Sequence, residues 1–119
     1  MKALCVTTAL LLLSACSTVM TPDSVQKSDW QAFGLEQGEK GLIKLSQNKL
    51  QDKDTTGQFN SDLYLAYSDG YEVGRGEYCQ QSAYMLGVTG RPYYGVCDNI
   101  NIWFRQDYQS GRLSTAGGY

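Results

Sequence analysis

Residues 64–97 read YLAYSDGYEVGRGEYCQQSAYMLGVTGRPYYGVC and carry seven of the nine tyrosines. Gly70 and Gly74 stand four apart in a segment whose apolar side, Leu63, Tyr67, Gly70, Tyr71 and Gly74, recurs with helical period. Asp69, Glu72, Arg75 and Glu77 fall on the other side. The spacing predicts a helix over residues 62–78, capped by Asn60 or Ser61. Cys79 and Cys97 then bracket a loop of alternating glycine and tyrosine.

A similar segment lies upstream. Trp30, Phe33, Gly34, Gly38 and Gly41 share a helical face, and Gly34 and Gly38 repeat the four-residue spacing of Gly70 and Gly74 beside an aromatic residue. This reads as a weak internal repeat, a duplicated helix. Ser28 and Gln31 have capping-box spacing, with Asp29 in the first turn. The apolar run over residues 42–50 either continues this helix or restarts after Gly41, and residues 51–57 read as a surface loop. Glycine inside a helix costs about 0.8 to 1 kcal/mol relative to alanine, so four of them need an offsetting contact. Close approach of the two glycine faces, with aromatic rings over bare backbone, supplies one. A ligand or phosphate site is the weaker reading, because neither run has the strand, glycine, helix order of a phosphate loop.

Downstream, Cys79 and Cys97 are expected to pair, because two cysteines of an exported chain most simply form a disulfide. For this loop length the chain-entropy account gives about 3 kcal/mol. Tyr84, Tyr93 and Tyr94 in the loop are either core filler or a contact surface. Asp98 or Asn99 is expected to cap a last helix bearing Ile100, Trp103, Phe104 and Tyr108 and ending at Gly111, with residues 113–119 a flexible tail.

The N-terminus places the chain. Lys2, an apolar run over residues 3–13 and small residues before Cys16 form an export signal, too short to stay as a membrane span. Leu13-Ser14-Ala15-Cys16 resembles the lipobox of bacterial lipoproteins, which implies cleavage of residues 1–15, lipid on Cys16 and palmitate among the acyl chains. The alternative, an ordinary signal peptide, leaves Cys16 as a free thiol. Ser17 in the next position implies sorting to the outer membrane, facing the periplasm. Residues 16–27 form a polar tether with a reach of roughly 20 Å, and residues 28–112 form one folded domain.

Without Lys2, nine basic side chains face twelve acidic ones, a formal net charge of −3. That balance argues against nucleic acid as a partner. The chain has no histidine, so Ser-His and Cys-His catalysis are unavailable, and no metal site or cofactor is expected. Asp69 and Glu72, three apart, are the minimum for carboxylate acid and base chemistry, though such pairs are more often a solvated helix face.

Several pieces together resemble a family of small Gram-negative lipoproteins known only as a domain of unknown function, number twenty-seven ninety-nine. They are Asp29-Trp30 with Gly34, Gly38 and Gly41; Asp69-Gly70, Gly74 and Tyr78-Cys79; Gly87, Gly90, Tyr93, Gly95 and Val96-Cys97; and Phe104, Tyr108 and Gly111. The family has Asp-Gly where this chain has Gln37-Gly38. The resemblance implies location and architecture and supplies no activity. The expectation is thus a mainly α fold, a small bundle of three to four helices with glycine-faced packing and one disulfide. Its expected role is a non-enzymatic interaction or structural module of the cell envelope, held to the outer membrane by lipid and bound to an unidentified envelope protein. The alternatives are a peptidoglycan-binding module using exposed tyrosines, and a carboxylate hydrolase.

Overall fold

The computed structural model describes residues 20–116; the signal peptide, Cys16 and the last three residues of the expected tail lie outside them. Five helices follow in order: α1 (Lys27–Glu39), α2 (Gln47–Lys53), α3 (Ser61–Tyr78), α4 (Ala83–Val88) and α5 (Phe104–Ala116). The mainly helical fold holds, with two more short helices than the sequence shows plainly. α2 takes up the end of the apolar run after Gly41, capped by Ser46, whose hydroxyl accepts from the Lys49 amide. α4 lies inside the disulfide loop, capped in the same way by Ser82 on Met85.

α1 and α3 pack backbone against backbone. A Cβ on Gly34 would meet the Tyr67 carbonyl oxygen and one on Gly38 the Tyr71 carbonyl oxygen, while Gly70 and Gly74 face the carbonyls of Gln31 and Leu35. Residue numbers rise together along both helices, so they run parallel. Each glycine brings its Cα–H against a carbonyl, a contact worth about 0.5–1 kcal/mol, besides the dispersion gained by the close approach. This offsets the glycine cost. The contact is backbone on backbone; a ring lies over bare glycine at Gly41, which Tyr78 covers.

Parallel helices need a return connection, and residues 40–60 provide it. Leu50 from α2 and Phe59 from the loop join Trp30, Phe33, Leu63, Tyr67 and Tyr71 in one aromatic cluster. α1 ends in a Schellman arrangement, the Leu42 amide donating to Gln37 and the Gly41 amide to Gly38. This needs the positive φ of 68° that Gly41 adopts. The chain then runs outside any helix through residues 42–46, held down by tyrosine hydroxyls. Tyr71 donates to the Leu42 carbonyl at 2.7 Å, and Tyr67 accepts from the Leu45 amide at 2.9 Å.

α4 and α5 repeat this construction. Gly87 faces the Tyr108 carbonyl and Gly111 faces that of Tyr84, again in parallel. α4 ends in a second Schellman arrangement, Arg91 donating to Leu86 and Gly90 to Gly87, and Tyr108 donates to the Arg91 carbonyl at 2.6 Å. Gly38, Gly41 and Leu42 thus recur 49 positions on as Gly87, Gly90 and Arg91, while Tyr71, Gly74 and Arg75 recur 37 positions on as Tyr108, Gly111 and Arg112. The duplicated unit is a helix pair. The sequence reading matched α1 with α3, which are partners within one unit; their glycines look alike because they face each other.

The units meet at the end of α3. Cys79 and Cys97 are disulfide-bonded with Cα atoms 5.5 Å apart, and Tyr78 packs with Phe104 in a second cluster containing Ala83 and Leu86. Arg75 reaches across from α3 to the Val96 carbonyl at 3.0 Å and Asn99 Oδ1 at 2.8 Å.

Three expectations change. α1 has Gln26 at its N-cap with no side-chain cap, and Ser28 and Gln31 do not form the capping box. Instead the Ser24 carbonyl accepts from Trp30 Nε1 at 2.9 Å, so the tether is already pinned at Ser24. α5 begins at Phe104, leaving Ile100 and Trp103 exposed ahead of it. It also runs through Gly111 to Ala116, so part of the expected tail is helix: Gly111 is a contact with α4, needed for close approach and not for termination.

Candidate functional site

The three tyrosines singled out as binding residues have different surroundings. Tyr93 is half-buried and engaged: its ring lies 4.9 Å from Phe104 and 5.4 Å from Tyr108, and its hydroxyl donates to Asp98 Oδ1 at 2.6 Å while accepting from the Cys97 amide at 3.0 Å. Burial, then the bond to Asp98, pushes its phenol up to about 12. Tyr93 therefore builds the disulfide loop. Tyr84 is exposed on α4, with its backbone carbonyl against Gly111.

Tyr94 is 49% exposed and stands where three hollows meet. The largest, about 490 Å³, lies between residues 43–44 and 94–99, with Glu72 and Arg75 along its floor. The second, about 450 Å³, runs past Leu42, Tyr78, Arg91 and Pro92. The third, about 230 Å³, is lined by Gln37, Leu42, Ile43, Leu45 and Tyr94. Together they line the connecting segment 42–45 as one groove, with the disulfide loop on the other side. Each wall belongs to a different unit, so the disulfide that joins the units also sets the groove.

The charges in the groove are engaged with one another. Glu72 accepts from Arg75 Nη2 at 2.6 Å and Nε at 3.0 Å, and Lys44 stands 3.5 Å from its other oxygen. Burial pushes this carboxyl up, but Arg75 and Lys44 outweigh it and hold it below the ordinary value. Asp98 is held low by the Tyr93 hydroxyl and by Arg105. Asp69, the other member of the proposed carboxylate pair, is exposed on α3. Among the described residues no group of three or more potential ligands could hold a metal ion, and no helix is long and apolar enough to cross a membrane.

Gln37 was singled out in the sequence only as a departure from a family pattern. Among the described residues it is the one buried polar residue, 7% exposed overall; its carboxamide bonds to no described residue, and no buried side-chain nitrogen or oxygen lacks a partner, so the carboxamide reaches solvent in the hollow it lines. Its equivalent in the second unit, 49 positions on, is Leu86, likewise buried. The two copies of Gly-x-x-Gly and of Tyr-x-x-Gly-Arg are the signal that exposes this difference.

The family model described as "Protein of unknown function (DUF2799)" matches residues 29–113, which takes in all but the outer ends of the two helix pairs, with the disulfide and the groove. The chain belongs to this family. No curated protein and no solved structure matches it. The DUF2799 match therefore spans the duplicated unit as a whole, and the groove between the two copies lies entirely inside it.

Proposed function

We propose that this DUF2799 chain is a non-enzymatic lipoprotein of the cell envelope, anchored to the outer membrane through Cys16 and facing the periplasm, where its tyrosine-bearing face holds another protein. The observation that carries the reading is the Tyr94 groove. An exposed aromatic ring, flanked by Ile43 at 63% exposure and bordered by mutually neutralised charges, has the make-up of an interface anchor with a polar rim. The catalytic alternative draws no support from the same site, since both oxygens of Glu72 are engaged by Arg75 and Lys44.

The anchor rests on the sequence alone. Metabolic labelling with an alkynyl fatty acid is expected to tag the wild type and not Cys16→Ser. Labelling that survives the substitution, or that never occurs, would remove lipid from the account.

The interaction is tested by photo-crosslinking in living cells from a probe at Tyr94, followed by mass spectrometry. One recurrent protein is the expected result. Crosslinks to peptidoglycan alone would replace the protein partner by a glycan, and no crosslink at all would sink the reading.

A further inference from the structure

The two helix pairs are built alike, so a difference between them marks what the unit itself does not require. The offset of 37 that matches α5 to α3 sets Ile100 and Trp103 against Leu63 and Ala66. Leu63 is buried in one cluster with Leu50 and Phe59, which the connection over residues 40–60 supplies. The second connection, residues 89–103, gives no such cover. Ile100, Ile102 and Trp103 are left 50%, 76% and 60% exposed. The first unit manages with Ala66, so its construction does not call for the large ring of Trp103.

Residues 99–103, NINIW, carry no charge, and all five are exposed. The turn they make is held from within. The Cys97 carbonyl, fixed beside the disulfide, accepts from the amides of Ile100 at 3.0 Å and Asn101 at 2.9 Å. Asn101 Oδ1 accepts from the Trp103 amide at 3.0 Å, and the Asn101 carbonyl from the Phe104 amide at 3.0 Å. Arg75 occupies Asn99 Oδ1 at 2.8 Å. The charges that flank the turn, Asp98 and Arg105, neutralise each other at 2.6 Å. With four backbone amides and both asparagine oxygens already paired, such a tip enters an apolar medium at a reduced desolvation cost.

We infer that the turn at residues 100–103 dips into the phospholipid surface that carries the Cys16 anchor, with Ile100, Ile102 and Trp103 as the inserted side chains. This rests on the lipid anchor proposed above. What selects a lipid surface as the occupant is the chain that leads to it. Trp30 Nε1 holds the Ser24 carbonyl, so residues 16–23 are all that separates the acylated cysteine from the pinned point. Those eight residues extend to at most about 26–29 Å. Trp30 lies level with Leu63, by the register that sets Gly34 against Tyr67 and Gly38 against Tyr71. Arg75, which holds Asn99, is twelve residues further along α3, about 18 Å. The anchor can therefore stay in the bilayer while the turn touches the same surface, with the long helices lying along it. Tethering also raises the local concentration of lipid, so a contact of three side chains that would not recruit a free protein suffices. Tryptophan is the ring favoured at the boundary of membrane and water. A mature chain of net charge −3 has no general attraction to anionic lipid, which leaves apolar insertion as the contact. Asn99 also lines the largest hollow, so docking holds the Tyr94 groove close to the headgroups.

The test uses the acylated chain, purified from membranes and reconstituted one per nanodisc of phosphatidylethanolamine and phosphatidylglycerol, with and without phospholipid brominated on its acyl chains. Trp30 is almost wholly buried, so the two tryptophans are separable by their emission. Trp103 is expected to emit to the blue of an indole in water and to lose most of its intensity to the brominated lipid. Trp103→Phe should leave only the unquenched emission of Trp30. Ile102→Asp, at an exposed position, should melt like the wild type and return Trp103 to the unquenched emission of an indole in water; were it to melt early, the wild type and Trp103→Phe decide alone. Unquenched Trp103 in the wild type, or quenching that persists in Trp103→Phe or in folded Ile102→Asp, overturns the inference. A blue shift without quenching overturns it too, and would mark a protein contact in place of lipid. Fatty-acid labelling of Cys16 with no quenching removes the membrane contact and leaves the anchor, whereas absent labelling removes both.

Discussion

The hydroxyl of Tyr93 joins residues that the sequence leaves apart, donating to Asp98 and accepting from Cys97, while Arg105 holds the other Asp98 oxygen at 2.6 Å. Two pH effects follow. Tyr93 and Tyr67 have phenols pushed up to about 12, each chiefly by burial, against an ordinary value of 10.0. A group raised in the folded state contributes stability that is complete below its unfolded value and is lost as pH climbs through the folded one. The chain is therefore expected to hold its melting temperature up to about pH 10 and to lose it towards pH 12. Phenolate absorbance should show four late tyrosines, since burial also raises Tyr71 and Tyr78, with Tyr67 and Tyr93 the last, and Tyr93→Phe should remove one of these two. If all the phenols ionise together near the ordinary value with the fold intact, burial of Tyr93 and Tyr67 is wrong. On the acid side Asp98 is held low by Tyr93 first and Arg105 second, so its contribution is present above about pH 4 and is lost as pH falls through its folded value. Asp98→Asn should flatten that acid limb of the melting profile.

Within the helices, glycines of one type separate into contacts and fillers. Gly34 has the Tyr67 carbonyl oxygen where its Cβ would stand, whereas a Cβ on Gly76, also inside α3, would meet nothing within 4 Å. Gly34→Ala is expected to lose about 3 kcal/mol or more, at the top of the overpacking range, because two backbones must part. Gly76→Ala is expected to gain about 0.8–1 kcal/mol, the ordinary helix preference. Denaturant melts of the two variants check both signs, and equal effects would contradict the close approach of α1 and α3. The glycines at four-residue spacing were legible in the sequence because the constraint they answer is local to a helix face. α4 was not legible, since six residues carry too little periodicity and its glycine partner, Gly111, lies beyond the disulfide. Gln37 had no readable meaning until the repeat was found, because its burial depends on the return segment at residues 42–45. The tyrosines of the loop divided for the same reason: ring contacts with Phe104 and Tyr108 claim Tyr93, and nothing in the local pattern distinguishes it from Tyr94.

Across the whole molecule, two copies of a parallel, glycine-faced helix pair are joined end to end, and the candidate groove lies along the join. The first copy has the larger cluster, with Trp30, Leu50 and Tyr67 almost wholly buried. The second depends more on its link to α3 through the Cys79–Cys97 bond, the Tyr78–Phe104 contact and Arg75. Removing the covalent link should therefore affect the copies unequally, with about 3 kcal/mol lost from the part the loop encloses. The most direct measurement is amide hydrogen exchange, followed by mass spectrometry, on the Cys79→Ser, Cys97→Ser variant. Protection is expected to persist in α1 and α3 and to fall by two orders of magnitude, matching the roughly 3 kcal/mol at stake, in α4 and α5. A single uniform loss across all four helices, or α4 and α5 unchanged, would contradict the account of two joined units.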